Sequence, residues 1–401
     1  MRSALLVSIL LCPVLAGAAQ TPAPRTPGSG AAPPQSAPAV SFETAEQRAA
    51  AARDRADPAE AIRWYREGVR LRPDWDEGWW YLGALSYEKG ESAAAVRAFS
   101  RFVELKPDSG PAWALRGLSE FQRKDYEAAL RHLTKGLSLG TVGNAEIRDA
   151  VYYHVALLRI RAGQFVLAVE PLSVLARANP ESPSLVTACG LALLRMPYLP
   201  DVVPGEKQEL VQMAGRAACA ALALQDAAGP RFEEVLRRYP NTPNLHYGYG
   251  AYLLRRADGG PAPQALAQFE KEIELDPTAV YARLEIAYEK IRDGQHAQAL
   301  PYAEEAVRLA PGLFAAHNAL GRALCETGQV EKGIAELEEA VRLAPESLHA
   351  RATLAGAYAQ SGRPADAERQ RDAIRKLSAD RGTAARSSLT REGLPGQEAQ
   401  P

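Results

Sequence analysis

The chain has 401 residues, of which 47% are hydrophobic and 24% are charged, with 47 Lys and Arg against 48 Asp and Glu. The hydrophobic fraction is that of a folded protein, and the net charge of −1 argues against a nucleic-acid-binding surface or binding to an anionic membrane. The 4 Cys and 6 His are too few for a disulfide scaffold or an array of zinc modules.

The first residues, 1–18, have the pattern of a secretory signal peptide. Arg2 precedes an apolar run from Ala4 to Leu15, and residues 16–18 form an A-x-A cleavage site. The run is about a dozen residues long, which is short of the roughly 20 that a membrane-spanning helix needs. We therefore expect cleavage near Ala18 and export to the periplasm or the extracellular space, with no integral membrane span afterwards. The alternative is an uncleaved N-terminal anchor.

Two segments have compositions that do not support a packed core. Residues 19–41 are dominated by Pro, Ala, Gly and Ser, which predicts a linker with polyproline character. Residues 381–401 are rich in small and polar residues, which predicts a disordered tail. The folded part of the chain is therefore expected between residues 42 and 380.

A 34-residue period runs through residues 42–380. Prolines, alanines and glycines keep this spacing independently of one another. They are Pro73 and Pro107; Pro277, Pro311 and Pro345; Ala61, Ala95 and Ala129; and Gly294, Gly328 and Gly362. Agreement at several positions indicates a repeated structural unit.

Each unit reads as a pair of helices. In residues 314–347, Gly328 separates two runs of helically spaced apolar residues, and Pro345 ends the second run. The apolar residues are Leu320, Ala323 and Leu324 in the first run, and Ile334, Leu337, Ala340 and Val341 in the second. Gly321 and Gly333 are expected where the two helices approach closely. A hairpin of this size cannot bury its own apolar face, so it must stack on its neighbours.

This pattern resembles the tetratricopeptide repeat. The family signature of Trp, Leu, Gly, Ala, an aromatic residue and a terminal Pro is carried by Trp79, Leu82, Gly83, Ala95, Phe99 and Pro107. The resemblance implies an all-α fold, a right-handed α-solenoid of about eight or nine stacked helix-turn-helix hairpins. The pattern departs from the family at about residues 196–231, where a Pro-rich insertion interrupts the unit 183–242.

The resemblance also implies where a partner would bind. In this family the first helix of each hairpin lines a concave groove. The family positions place in this groove Trp80, Tyr87, Phe121, Tyr153, Tyr247, Tyr281 and Tyr288; the aliphatic residues Leu157, Ile160, Leu254 and Ile291; and the arginines Arg161, Arg195, Arg255 and Arg292. An aromatic row beside a row of arginines is suited to a peptide or a protein segment.

No catalytic motif is present in the sequence, and we expect no enzymatic activity, no cofactor and no metal site. Cys189 and Cys219 are expected to be buried as small hydrophobic residues, with a disulfide between them as the alternative.

Three functional hypotheses remain open. The first is a non-enzymatic scaffold or adaptor that binds a protein partner in the groove. The second is an accessory subunit of a cell-envelope assembly, for secretion, pili or outer-membrane biogenesis, that uses its convex face. The third and most remote is an enzyme or ligand module in residues 183–242. Nucleic acid is not an expected partner, and self-association stays open.

Overall fold

The computed structural model describes residues 40–140, 145–260 and 262–391, with side chains to residue 379. The predicted signal peptide and nearly all of the predicted linker lie outside the described residues. The chain divides into two compact units, of which the first ends at Asp226 and the second begins at Ala227.

The described residues form helices and no strands, which confirms the predicted all-α class. The helices of the first unit are α1 Phe42–Asp54, α2 Pro58–Leu71, α3 Asp76–Glu88, α4 Ser92–Leu105, α5 Gly110–Gln122, α6 Tyr126–Leu139, α7 Ala145–Arg161, α8 Phe165–Ala178, α9 Pro183–Leu193 and α10 Gly205–Leu222. Those of the second unit are α11 Ala228–Arg238, α12 Leu245–Arg256, α13 Pro263–Leu275, α14 Val280–Arg292, α15 His296–Leu309, α16 Phe314–Glu326, α17 Val330–Leu343, α18 Leu348–Gln360 and α19 Pro364–Arg391.

Consecutive helices pack as hairpins, and each hairpin packs on the next within its unit. The described residues contain five hairpins in the first unit, α1/α2 to α9/α10, and four in the second, α12/α13 to α18/α19. Each unit is therefore an α-solenoid. Helix α11 precedes the first hairpin of the second unit and packs on α12, where the Phe232 ring is stacked on Tyr249 with 5.4 Å between centroids.

The turn inside each hairpin requires a residue with left-handed backbone. Gly328 adopts a φ of +83° between α16 and α17, as the sequence predicts for a turn glycine. Three hairpin turns of the first unit instead use a residue with a side chain: Ala56 with a φ of +54°, Lys124 with +63° between α5 and α6, and Arg195 with +50°. A side chain in this conformation is strained, since its Cβ approaches the following carbonyl.

Small residues set the distance between the helices of a hairpin. A Cβ at Gly321 of α16 would lie 2.6 Å from Leu337 Cγ and 2.8 Å from the carbonyl oxygen of Gly333 on α17. A Cβ at Gly333 would lie 2.7 Å from the carbonyl oxygen of Gly321. The expected close approach at these two glycines is confirmed.

A side-chain donor near the start of a first helix caps the preceding turn in five hairpins. Each donates to the carbonyl of a proline six residues earlier. The pairs are Trp79 Nε1 with Pro73 (2.9 Å), Trp113 Nε1 with Pro107 (2.8 Å), His246 Nε2 with Pro240 (3.0 Å), His317 Nε2 with Pro311 (2.9 Å) and Arg351 Nε with Pro345 (2.8 Å). The hydrogen bond to the proline carbonyl is therefore present in all five hairpins, although the donor side chain is Trp, His or Arg.

The sequence predicted irregularity at 196–231, and this is where the simple alternation of helices stops. After α9, a short 3₁₀ turn at Pro200–Val202 leads into α10, and α11 follows as a third helix. Gly190 and Gly215 let α9 and α10 approach closely, because a Cβ on either would meet a carbonyl oxygen of the other helix at about 2 Å.

At the other end, α19 extends to Arg391, past residue 381, where we placed the start of the tail. No proline interrupts the sequence from Ala365 to Leu394, so the backbone can continue as a helix.

Candidate functional site

The first helices of successive hairpins pack directly against one another. In the first unit α3 contacts α5, α5 contacts α7, and α7 contacts α9; in the second, α14 contacts α16 and α16 contacts α18. We call the surface that these helices form in each unit its first-helix face. All eleven aromatic and arginine positions predicted from the family resemblance lie on or just after first helices.

The predicted aromatic residues of the first unit are half-buried in the seams between helices. The Trp80 ring packs on Phe99 and Phe102 of α4, with centroid distances of 5.8 and 5.4 Å. The Phe121 ring lies 4.6 Å from His154 of α7 in an edge-on contact. These rings therefore combine packing between helices with a partly open edge.

Tyr87 and Tyr153 are also half-buried. Burial raises the pKa of both phenols. For Tyr153, a hydrogen bond with Ser184 of α9 opposes the shift, and nearby Asp201 adds to it. Tyr153 thus contacts the next first helix, α9, through Ser184.

The predicted tyrosines of the second unit form a row across its first helices. Tyr247 of α12 contacts Tyr281 of α14 at 6.4 Å between ring centroids. Two turns farther along α14, the Tyr288 hydroxyl donates to the carbonyl oxygen of Ala315 on α16 (2.8 Å). All three rings are half-buried.

The row continues through two residues that the sequence reasoning missed. Asn318 of α16 is fully buried, and its Nδ2 lies 3.5 Å from the Tyr288 hydroxyl and 3.3 Å from Nε2 of His349 on α18. Its Oδ1 has no hydrogen-bond partner among the described residues. Asn318 directly follows His317 on α16, so the sequence shows a polar pair on a first helix but gives no sign of the contacts that Asn318 makes.

Charges flank this row. Burial, followed by the proximity of Glu289, raises the pKa of Glu285 on α14, and a hydrogen bond with Tyr247 opposes the shift. Burial raises the pKa of Tyr288, whereas a hydrogen bond with Asn318 and the charge of Arg322 lower it. The second-unit face therefore offers tyrosines, a carboxylate and a guanidinium within a few residues.

The two predicted arginines of the first unit have different surroundings. Arg161 is exposed, and its guanidinium lies over the Tyr126 ring, 4.4 Å from the centroid. Arg195 is half-buried and adopts a φ of +50° just after α9, so its position is set by the turn.

The two predicted arginines of the second unit also differ. Arg292 forms an ion pair with Glu289 at 2.5 Å and donates to the carbonyl oxygen of Gly260 at 3.3 Å. Arg255 is exposed at the end of α12 and forms no ion pair with another described residue. Of these two, Arg255 has the guanidinium available to a ligand.

Most of the aliphatic residues expected in the groove are instead core residues. Leu157, Ile160 and Ile291 have exposed fractions of 3%, 0% and 4%, and Leu254 is half-buried. The expectation was wrong for the three buried residues because adjacent first helices pack over these positions.

The described residues contain no group of three or more His, Cys, Asp or Glu placed to hold a metal ion. Cys189 and Cys219 are free and buried. Burial, together with the neighbouring Cys219 thiol, raises the pKa of Cys189.

Helix α8 carries an apolar surface on the other side of the hairpins. Val166, Leu167 and Val169 are 57%, 56% and 45% exposed. Within the described part of the chain, no helix combines the length and apolarity needed to span a bilayer.

The profile of the tetratricopeptide repeat family matches residues 47–110, 82–140, 284–347 and 318–380. These matches fall on α1–α6 and α14–α19. No curated protein sequence matches the chain.

Solved structures of low sequence identity resemble parts of the chain. MamA from Desulfovibrio magneticus RS-1 is 23% identical, with a TM-score of 0.40, and the match covers 43% of this chain and 97% of that one. YrrB, described as a TPR protein with an unusual peptide-binding site, is 16% identical, with a TM-score of 0.37 and coverage of 46% and 95%. Yeast Tom70 is 14% identical, with a TM-score of 0.30 and coverage of 87% and 95%.

The 34-residue period, the hairpins that it encodes and the four profile matches identify the chain as a tetratricopeptide repeat protein.

Proposed function

We propose that the chain is a non-enzymatic scaffold or adaptor that binds a peptide or protein segment on a first-helix face. Tetratricopeptide repeat proteins are typically protein-interaction scaffolds. The observation that carries the proposal is the row of side chains across four first helices of the second unit, Tyr247, Tyr281, Tyr288, Asn318 and His349.

The chemistry of this row suits a polypeptide ligand. Tyrosine supplies a large contact area with little loss of side-chain entropy, and its hydroxyl bonds to backbone groups. The buried Oδ1 of Asn318 lacks a donor, and leaving such an acceptor unpaired costs about 1–3 kcal/mol. A backbone N–H of the ligand that reached this oxygen would remove the penalty.

Site-specific photo-crosslinking in the native host tests the proposal. Benzoylphenylalanine in place of Tyr281 or Tyr153 keeps an aromatic ring on the first-helix face of each unit. The same residue in place of Lys271, which is exposed on the second helix α13, is the matched control. We expect cross-links to a distinct protein from Tyr281, from Tyr153 or from both, and none from Lys271.

A second candidate function is favoured by the exposed apolar surface of α8. An accessory subunit of an envelope assembly that docks through second helices would use Val166, Leu167 and Val169. Benzoylphenylalanine in place of Val166 tests this directly. Cross-links from Val166 with none from Tyr281 or Tyr153 would replace the first proposal with the second.

We also propose that the chain is exported, on the basis of the leader-like residues 1–18. Sequencing the N-terminus of the protein isolated from its native host should show a start near Ala19. A start at Met1 would contradict cleavage, and a cytoplasmic fraction containing all of the protein would contradict export.

A further inference from the structure

A cavity of about 390 Å³ lies between helices α2, α3 and α4, away from the first-helix face described above. Its apolar lining is formed by Val69, Leu82, Ala94, Ala98 and the ring of Trp79, and its polar lining by Arg66, Arg70 and Arg97. The volume is within the range of ligand-binding pockets, about 300–1,000 Å³.

Two of the three guanidinium groups have no competing partner nearby. Arg70 is bound by both oxygens of Glu67, at 2.9 and 2.6 Å. Arg66 and Arg97 are exposed, and neither forms an ion pair with another described residue. The Trp79 N–H already donates to the carbonyl of Pro73, so this residue offers only its ring.

The next repeat shows what the same positions look like when they are filled. One period later, Arg116 replaces Leu82 and His132 replaces Ala98. The His132 ring lies 5.2 Å from Trp113, and both His132 and Arg116 bond to Glu120, at 2.6 and 3.0 Å. The corresponding space one period later is therefore filled by the side chains of α5 and α6.

The cavity between α2, α3 and α4 lacks this network of hydrogen bonds. The position of Glu120 is occupied by Ser86, which is fully buried and has a hydroxyl without a hydrogen-bond partner among the described residues. The outer positions also change, because Ser100 and Glu104 stand one period after Arg66 and Arg70. Of these two spaces, only the one between α2, α3 and α4 combines an open apolar floor with an arginine rim.

We propose that this cavity, the α2–α4 pocket, binds an acidic protein segment in which a carboxylate side chain stands beside a large apolar side chain. The apolar side chain enters between Trp79 and Leu82, and the carboxylate lies between Arg66 on α2 and Arg97 on α4. The guanidinium fork matches a carboxylate with two parallel hydrogen bonds, and the apolar floor adds area from which water is excluded.

The indole resonances of Trp79 and Trp113 provide an internal test, since the two residues have equivalent positions. The probe is a capped pentapeptide with the order glycine, glutamate, leucine, glutamate, glycine, added to the full chain labelled with ¹⁵N. We expect the Trp79 resonance to shift and the Trp113 resonance to stay. Matched peptides with glutamine for glutamate, or glycine for leucine, should bind at least about tenfold more weakly.

Variants of the chain locate the binding energy. Arg66→Gln with Arg97→Gln should weaken peptide binding by about tenfold or more, whereas Arg131→Gln, one period after Arg97, should leave it unchanged. Ala98→His should block the pocket without removing either arginine.

Three outcomes would overturn the proposal. They are no shift of the Trp79 resonance with any peptide at millimolar concentration, equal binding of the glutamine peptide, and a phosphate buffer of equal ionic strength that reproduces the shift and displaces the peptide. None of these results bears on cross-linking from Tyr281 or Tyr153, so the two proposals fail separately.

Discussion

Gly321 and Gly356 both lie in the middle of a first helix, on α16 and α18, yet the structure predicts different effects on stability when each is replaced by alanine. Gly321 is buried against α17. Gly356 is exposed, and a Cβ added there would meet no other atom within 4 Å. The two substitutions are therefore chemically identical and differ only in their surroundings.

The magnitudes follow from two opposing terms. Alanine in place of glycine in a helix interior stabilises the helix by about 1 kcal/mol, because it restricts the unfolded chain. At Gly321 the new Cβ would lie 2.6 Å from Leu337 Cγ and 2.8 Å from a backbone oxygen, and overpacking of this kind costs about 1–3 kcal/mol. We expect Gly356→Ala to stabilise by about 1 kcal/mol and Gly321→Ala to be neutral or to destabilise by up to about 2 kcal/mol.

Urea unfolding of the full chain, followed by circular dichroism, measures both variants. Repeat proteins unfold in segments, so hydrogen exchange of the α16–α18 amides, which surround both glycines, should accompany the midpoints. The difference between the variants isolates the packing cost because the propensity gain is shared. Equal changes in stability, or a larger gain for Gly321→Ala, would refute the close approach of α16 and α17.

Three further predictions concern the turns, the proline contacts and the alkaline limit of stability. Lys124→Gly should stabilise by about 1 kcal/mol in urea unfolding, because the left-handed backbone at this position strains any side chain; no gain would contradict this. His317→Phe removes both ring hydrogen bonds and should destabilise by about 1–3 kcal/mol in the same assay, whereas an unchanged midpoint would show that they contribute nothing. Burial, and then a hydrogen bond to Glu338, raises the pKa of Tyr358 to about 12 from 10.0, so the folded chain keeps a proton that the unfolded chain loses. Stability should therefore fall as the pH rises from 10.0 to about 12, and Tyr358→Phe should make this fall less steep in alkaline unfolding.

The period of the sequence predicts most of the fold because each repeat needs the same few features. Leu320 and Leu337 lie on the buried faces of α16 and α17, and Gly328 turns the chain between them, as the apolar spacing indicates. The number of hairpins follows from counting back from the terminal prolines. Residues 183–242 could not be predicted in this way, since α10 and α11 share no recognisable phase with the other units.

The hydrogen bonds to the proline carbonyls show that equivalent positions of the repeat can carry different amino acids. Trp79 and Trp113 align visibly, but His246, His317 and Arg351 occupy the same role with different side chains. What the position preserves is an N–H donor at a fixed distance from a carbonyl, and a letter-by-letter comparison does not detect this. Left-handed turns behave likewise, since Lys124 stands where other repeats have glycine.

The candidate site could be predicted only as far as the repeat positions reach. The family positions correctly place Tyr247, Tyr281 and Tyr288 on first helices, but they carry no information about which neighbours cover them. Asn318 was missed because its importance depends on an unpaired oxygen, which requires the side chains of three helices. The ion pair between Arg292 and Glu289 is different, because its i, i+3 spacing on one helix is present in the sequence and the family positions do not take it into account.

In a repeat protein, each position can be compared with the equivalent position of a neighbouring repeat. A position that differs between repeats can therefore be interpreted from the contacts that it makes in each. Where a position must pack, side chains of the same repeat compensate one another: Arg116 and Glu120 of α5 and His132 of α6 bond together and fill the space between them. At the equivalent positions Leu82 and Ala98 line the α2–α4 pocket, and the hydroxyl of the buried Ser86 has no hydrogen-bond partner among the described residues. The difference between these two adjacent repeats at three corresponding positions calls for a physical reason. A ligand that fills the α2–α4 pocket supplies that reason, and Ala98→His tests it by giving the pocket one of the side chains that fill the corresponding space one period later.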